Sequence, residues 1–328
     1  VLRVGGIGGV GTEEEYRRRG LARQVLERCV ELMTREGYDA SFLFGIQDFY
    51  HRFGFATCMA EQELVIDTVA ARRAEKRLRV RPMRRNDLPS LVRIYNRDNA
   101  ERTASCVRPR SWGGFTRGTW WGVAAWPRLA VDRADRPVGY VTCDAVPERC
   151  KVAEVGGRGD DAHHTLLHLL SRRARSLGVE QIQISAPPDH AFALFCRGFG
   201  CRTHSLCPRN GGPMGRIIHL RPFLTRLAPV LASRWASEER ELVLATDLGT
   251  CALVRDRGRS GVQVAARHAR GALRVSLPQD ALMQLACGYR SAAACWESGQ
   301  LAGSAAARHL AAQLFPVHEG HMWWSDRF

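Results

Sequence analysis

The residues best suited to chemistry stand at the start of the chain. Gly6-Ile7-Gly8-Gly9-Val10-Gly11 fits G-x-G-x-x-G, the turn that lays a dinucleotide pyrophosphate against a helix N-terminus. Arg17-Arg18-Arg19-Gly20-Leu21-Ala22 fits R-x-x-G-x-A, with its glycine nine residues beyond Gly11. In such a loop the glycine lets the backbone approach a phosphate, while arginines and the first amides of a helix surround it. The question is which of the two holds a cofactor.

Charge argues against the first. Its helix would begin at Thr12-Glu13-Glu14-Glu15 and so surround a dianion with carboxylates. Like charges at roughly 5 Å cost on the order of a kcal/mol each in a partly exposed site. The preceding strand, "VLRV", is short, and a lone G-x-G-x-x-G in a glycine-rich stretch is a weak signal. The second loop sits where helical periodicity starts. Leu21, Val25, Leu26, Cys29, Leu32 and Met33 recur on one helix face, and Gly37 closes the helix. A solvated arginine run before a surface helix is the bland alternative for the same residues.

The elements that must position these residues read as two copies of one pattern. In the first, "YDASFLFG" is a buried strand, "QDFYHRFGF" a turn with a short helix, and "QELVIDT" a strand. A charged connector, "VAARRAEKR" (69–77), follows. In the second, "LRVRPM" is a strand and Asn86 caps a helix; "RPVGYVTCDAV", "CKVAEVG" and "EQIQISAP" are strands, with a helix from the two histidines to Gly178. "HAFALFCRGFG" then repeats the aromatic turn. Beyond Arg221 a helix (222–235) leads to an antiparallel meander of "RELVLATDL", "CALVRDRG", "GVQVAAR" and "ALRVSLP", and then to Ala-rich helices over 279–314.

Composition bounds the function. A length of 328 residues, 45% hydrophobic and 25% charged, suits two or three globular domains. No apolar run approaches the ~18 residues of a membrane span, and no signal peptide is visible. Eleven cysteines without such a signal imply reduced thiols and a cytoplasmic protein. The net charge of +15 invites nucleic acid, but the arginines spread over the whole chain instead of forming a tract, so it reads as compositional bias. His163, His164 and His168 beside Asp160 and Asp161 complete no recognisable ligand set, and no metal is expected. The first residue, Val1, is not methionine, so the N-terminus reads as incomplete.

"GGVGTEEEYRRRGLARQVLERCVELMTREGYDASFLFG" followed by "DFYHRFGF" resembles the GNAT superfamily of N-acetyltransferases: a strand, a pyrophosphate loop, a helix, and a downstream tyrosine with Gly-Phe. Within it the chain is similar to the enhanced-intracellular-survival type. The "LPQDALMQLACGYRS…WESGQLAG…LAAQLFP" segment and the terminal phenylalanine carry that likeness. The resemblance implies tandem GNAT-type mixed β-sheets flanked by helices (α/β), followed by an α+β sterol-carrier-like domain. Its divisions are residues 1–68 for the C-terminal portion of a first, catalytic unit, 78–220 for a second, degenerate unit and 221–328 for the last domain. The N-terminal strands and helices of the first unit are then missing. In the second unit "VGGRGDDAHH" stands in place of the phosphate loop and Phe195 in place of the tyrosine.

The same resemblance implies an acetyl-CoA-dependent N-acetyltransferase of a primary amine, either a small molecule or a lysine, and a homo-oligomer. Cofactor contacts map to Val10, Gly11 and Thr12 of the strand, Arg17, Arg18, Arg19, Gly20, Leu21, Ala22 and Arg23 of the loop, and Gly45 and Ile46 of the next strand. Tyr50 maps to the general acid. With an ordinary pKa of about 10 it is protonated at neutral pH, but packing against Phe49, Phe53 and Phe55 is its structural alternative. The terminal carboxylate of Phe328 maps to the general base, with Asp326 its rival and Trp323 and Trp324 as anchors. A non-catalytic protein that binds an apolar ligand in its last domain is the competing reading.

Overall fold

A computed structural model describes residues 1–120, 122–256 and 261–328. The first repeat contains β1 (Val4–Ile7), α1 (Leu21–Arg35), β2 (Ala40–Gly45), β3 (Ala56–Thr57) and β4 (Glu61–Asp67). Next come α2 (Thr68–Ala71), β5 (Arg79–Pro82), α3 (Leu88–Asp98), β6 (Ala125–Val131) and β7 (Pro137–Asp144). The second repeat follows as β8 (Cys150–Gly157), α4 (Asp160–Ser176), β9 (Gln181–Ile184), α5 (Ala191–Arg197), β10 (Arg202–Leu206) and β11 (Gly212–Ile217). The C-terminal part is α6 (Leu220–Arg234), β12 (Glu241–Thr246), β13 (Gly249–Arg255), β14 (Val262–Ala265) and β15 (Leu273–Ser276), then α7 (Gln279–Ala286), α8 (Ala292–Glu297), β16 (Ala302–Gly303) and α9 (Ala305–Leu314).

These elements form two compact units. One comprises Val1–Ala60, Cys207–His318 and Phe328; the other comprises Glu61–Leu206 and Glu319–Arg327. The first holds a four-stranded sheet, β1-β2-β11-β3, and a five-stranded sheet, β14-β13-β12-β15-β16. The second holds one sheet, β10-β4-β9-β8-β7-β6-β5.

The two repeats are the same chain path. In each, a strand (β1, β8) pairs parallel to the next (β2, β9) across a helix, and a short outer strand (β3, β10) follows. Both connecting helices end alike. Gly37 and Gly178 take positive φ (71° and 68°), and the next amide returns to the helix, Tyr38 to Met33 and Val179 to Ala174, each at 3.0 Å. That left-handed C-terminal cap is why glycine stands at both places.

The last strand of each repeat, however, pairs in the other unit's sheet. β4 lies antiparallel between β9 and β10, and β11 lies antiparallel between β2 and β3. The boundaries at 68 and 220 therefore do not match the pairing: Glu61–Asp67, grouped by its sequence with the first unit, lies in the second, and Gly212–Ile217 does the reverse. Alternation marks a strand without naming its partner, and here both partners are more than 100 residues away in sequence.

In the charged connector 69–77, Arg72, Arg73, Glu75, Lys76 and Arg77 are exposed while Ala71 and Ala74 are buried in the core of the second unit. Two local expectations change. Asn86 is not the cap of α3; Asp87 accepts the Arg84 amide at 2.7 Å and binds Arg81 through both carboxylate oxygens (2.7 and 2.8 Å). The C-terminal strands are not a simple meander, because β15 crosses to pair parallel with β12. Of the strand read from "CALVRDRG", Arg257 and Gly258 lie outside the described residues.

Candidate functional site

The dinucleotide reading fails on geometry. Gly5 and Gly6 lie inside β1, a one-turn 3-10 helix occupies Glu14–Tyr16, and the first long helix starts ten residues after Gly11, at Leu21. The glycines serve a different purpose. A Cβ on Gly6 would stand 2.7 Å from the Phe328 ring, and one on Gly8 would stand 2.4 Å from the Phe328 main-chain carbon. Phe328 thus lies flat on the end of β1, with Phe44 edge-on to its ring at 6.2 Å.

The arginine loop sits at the start of α1. Gly20 caps the helix at φ 75°, a conformation open to glycine and costly for most residues, so the loop turns there into the helix. Arg18 is also left-handed (φ 63°), and Arg17 Nε closes the loop on the Thr12 carbonyl at 3.3 Å. Arg17, Arg18, Arg19 and Arg23 are exposed or nearly so, and none has a carboxylate partner among the described residues. Arg19 lies over the Tyr16 ring at 5.3 Å. Unpaired guanidinium groups beside the free first-turn amides of a 15-residue helix make a site for an anion.

A groove of about 590 Å³ joins the loop to the strand; it is lined by Gly6–Glu13, Tyr16 and one face of α1. The apolar stripe read from the sequence divides here. Leu26 and Met33 are buried at the floor of the groove, whereas Leu21, Val25 and Leu32, which also line it, are exposed. Ile7–Leu43 is the last pair of β1 and β2, while β2 stays paired with β11 through Gly45. Val10, Gly11 and Thr12 follow the end of β1 and line the groove. Gly45 ends β2, and the exposed Ile46 follows it.

Tyr50 begins a one-turn 3-10 helix, Tyr50–Phe53. It belongs to the core of Ile7, Leu26, Met33, Leu43, Phe55 and Met214, with Phe49 edge-on at 4.9 Å. Its ring covers Gly45, where a Cβ would come within 2.6 Å. Burial pushes the phenol pKa above its ordinary value, and no hydrogen-bond partner for the hydroxyl occurs among the described residues. Tyr50 lies on the α1 face of the sheet and Phe328 on the opposite face, the face on which Gly215 meets Met283 of α7.

Asp326 is accounted for elsewhere. In the second unit it accepts hydrogen bonds from Arg108 Nε and Nη2, both at 2.8 Å, and from the Tyr95 hydroxyl at 2.7 Å. Arg108 is wholly buried, bridges on to Glu154 (2.7 and 2.6 Å), and stacks on Tyr95 (3.3 Å) and Trp112 (3.6 Å). Burial raises the Asp326 pKa, but its oxygens are used structurally. Trp323 is also buried, and its indole donates to Asn99 at 2.9 Å; Trp324 is half-buried against Arg327.

The second repeat lacks this chemistry, though by a different alignment from that read in the sequence. Gly54 precedes β3 by two residues at φ 75°, and Gly200 precedes β10 by two at φ 82°, whereas Gly198 has φ −65°. Counting back four residues sets Cys196, not Phe195, opposite Tyr50. Cys196 is fully buried, and burial, with Cys201 beside it, pushes its thiol pKa up. Only Arg158 and Gly159 separate β8 from α4, too short for a phosphate loop, and Asp160 and Asp161 occupy the helix start. His163 and His168 are bonded to the Gly157 and Ala74 carbonyls, each at 3.0 Å.

The sequence did not reveal Arg216, Gln279 and Gln284, which bind the chain around Tyr50 from far along the sequence. Their only local signal is the Pro278-Gln279 helix start.

Residues 1–58 match the family model of the acetyltransferase (GNAT) domain. A search of curated proteins found no match. Among solved structures, 99% of the chain superposes on 82% of a GCN5-related N-acetyltransferase from Anabaena variabilis ATCC 29413 (TM-score 0.77, 18% identity). It superposes equally on 81% of a probable N-acyltransferase from Enterococcus faecalis V583 (0.78, 17%). The whole chain superposes on 83% of Eis1 from Mycobacterium abscessus (0.63, 18%). The fold is therefore that of Eis-type proteins, tandem GNAT units with a C-terminal domain. No helix among the described residues is long and apolar enough to cross a membrane.

Proposed function

We propose that the protein transfers an acetyl group from acetyl-CoA to a primary amine. The observation that carries this reading is the left-handed Gly20 turn, whose arginines have no carboxylate partner among the described residues, opening α1 beside the groove that runs along the end of β1. Arg17, Arg18, Arg19 and Arg23, with the amides of Gly20, Leu21 and Ala22, hold the pyrophosphate. The backbone of Val10, Gly11 and Thr12 and the end of β2 at Gly45 and Ile46 take the pantetheine arm. Acetyl-CoA supplies the activated acyl thioester.

The chain's own groups move the protons. The carboxylate of Phe328, ionised at neutral pH with an ordinary pKa of ~3.5, accepts a proton from the acceptor ammonium. The freed amine forms the C–N bond as the C–S bond breaks, and the nitrogen then sheds its second proton to solvent to give the amide. The Tyr50 hydroxyl, kept protonated by burial, gives its proton to the departing thiolate. Asp326 has no part in this, because both its oxygens serve Arg108.

Calorimetric titration with acetyl-CoA, followed by thiol release with a polyamine, an aminoglycoside and an Nα-blocked lysine as acceptors, tests the reading. Saturable binding with amine-dependent thiol release is expected. Copurified lipid with no affinity for acetyl-CoA would instead support the binding-protein alternative. Adding a few residues after Phe328 moves the carboxylate without altering a side chain, and should abolish transfer while acetyl-CoA still binds.

A further inference from the structure

The segment following Tyr50 has its carbonyls held from outside. Arg216 Nη1 donates to the Phe53 carbonyl, Gln279 Nε2 donates to Gly54 (2.6 Å), and Gln284 Nε2 donates to Thr57 (2.9 Å). Arg216 lies on β11, and both glutamines lie on α7, the first helix after the C-terminal strands. Gln279 is buried and uses both ends of its amide: Oε1 accepts the Ile217 amide of β11 at 3.0 Å while Nε2 reaches Gly54. Its own amide is held by Asp247 at 2.6 Å, which fixes the helix start.

Gly54 is the left-handed residue on which the Tyr50 helix ends, and its amide bonds back to His51 at 3.0 Å. A one-turn 3-10 helix has almost no stability of its own, so the position of its first residue depends on what holds its last. Here that hold is a side chain more than 200 residues downstream. A buried amide has a single low-energy placement when both its donor and its acceptor are used, and Gln279 then ties the Tyr50 turn to β11 at fixed distance.

We propose that Gln279, supported by Gln284, is a positioning residue for Tyr50, so that the C-terminal domain sets the aim of the general acid through α7. The inference rests on the acetyltransferase reading. It gives α7 a task in the reaction, apart from any ligand the C-terminal domain binds.

Gln279→Glu keeps the acceptor for Ile217 and removes the donor to Gly54. Displacement of the acid by about 1 Å lowers turnover by on the order of 10²-fold. We expect kcat to fall between tenfold and a hundredfold with KM for acetyl-CoA unchanged. The same substitution in a Tyr50→Phe background should cost less than twofold, because its target is already gone. An equal loss in both backgrounds, or no loss in the first, overturns the proposal. Gln284→Glu is the second variant should Gln279→Glu fail to fold, and the same cycle applies.

A readout independent of activity separates the two claims. In protein labelled at tyrosine Cζ, the Tyr50 resonance, assigned by its absence in Tyr50→Phe, should move in Gln279→Glu while the other five tyrosines stay. If wild type releases no thiol yet this shift appears, the positioning stands and the reaction is wrong. If wild type is active and the resonance is unmoved, the positioning is wrong.

Discussion

Replacing Gly8 by alanine tests where the end of the chain lies and what it does. Gly8 does not have a positive φ, so alanine meets no backbone penalty. The nearest obstacle is Phe328, whose main-chain carbon would lie 2.4 Å from the new Cβ, and whose carbonyl oxygen would lie 2.8 Å away. Ordinary contact begins near 3.4 Å, so the Phe328 main chain must retreat by about 1 Å. For a catalytic group, a misplacement of that size is worth on the order of 10²-fold in rate, or roughly 2.7 kcal/mol of barrier. We expect Gly8→Ala to lose about that much kcat in a thiol-release assay while the fold, followed by circular dichroism, persists. Gly113→Ala, with φ −114° and no neighbour within 4 Å, is the neutral control. A chain ending at Arg327 should be as impaired as Gly8→Ala and should gain no further loss when the two changes are combined. Turnover within twofold of wild type in Gly8→Ala, with the protein folded, would refute both the contact and the assignment of the base.

Three further outcomes follow from named contacts. Tyr50→Phe should leave acetyl-CoA affinity intact and lower kcat about 10²-fold. Because burial raises the Tyr50 pKa, the acid form persists as pH rises past 10 and is lost only above that. The alkaline limb of the kcat profile should lie there and vanish in the variant. Reversing Arg17 and Arg19 to glutamate should weaken acetyl-CoA binding in calorimetry by at least tenfold, more at low salt than at high, whereas unchanged affinity would place the pyrophosphate elsewhere. Arg108→Met leaves Glu154 and Asp326 buried without their cation and should cost about 3–5 kcal/mol in chemical denaturation; Asp326→Asn, which keeps an acceptor, should cost less.

Which of the two loops opens a long helix was legible from the sequence alone, because it depends on where helical periodicity begins. The apolar spacing from Leu21, after the arginines, marks the helix start without any knowledge of the fold. The helix, strand and aromatic-turn order shared by the two repeats, and the glycines that close α1 and α4, were legible for the same reason, since 3.6-residue and two-residue periods and positive φ are properties of short segments; β3, β10 and β11 were not read. Pairing is not. Only the tertiary structure showed that β4 and β11 complete the sheets of opposite units, since a strand's alternation is the same whichever neighbour it takes. It also decided that Asp326 belongs to a buried arginine and that Gly6 and Gly8 are small because Phe328 rests on them. The amides that hold the Tyr50 turn were hidden too, on a helix 225 positions away from the carbonyl that Gln279 binds. Each of these is a contact between residues far apart in sequence, fixed by the packing of whole elements, and no short window of the chain contains both partners.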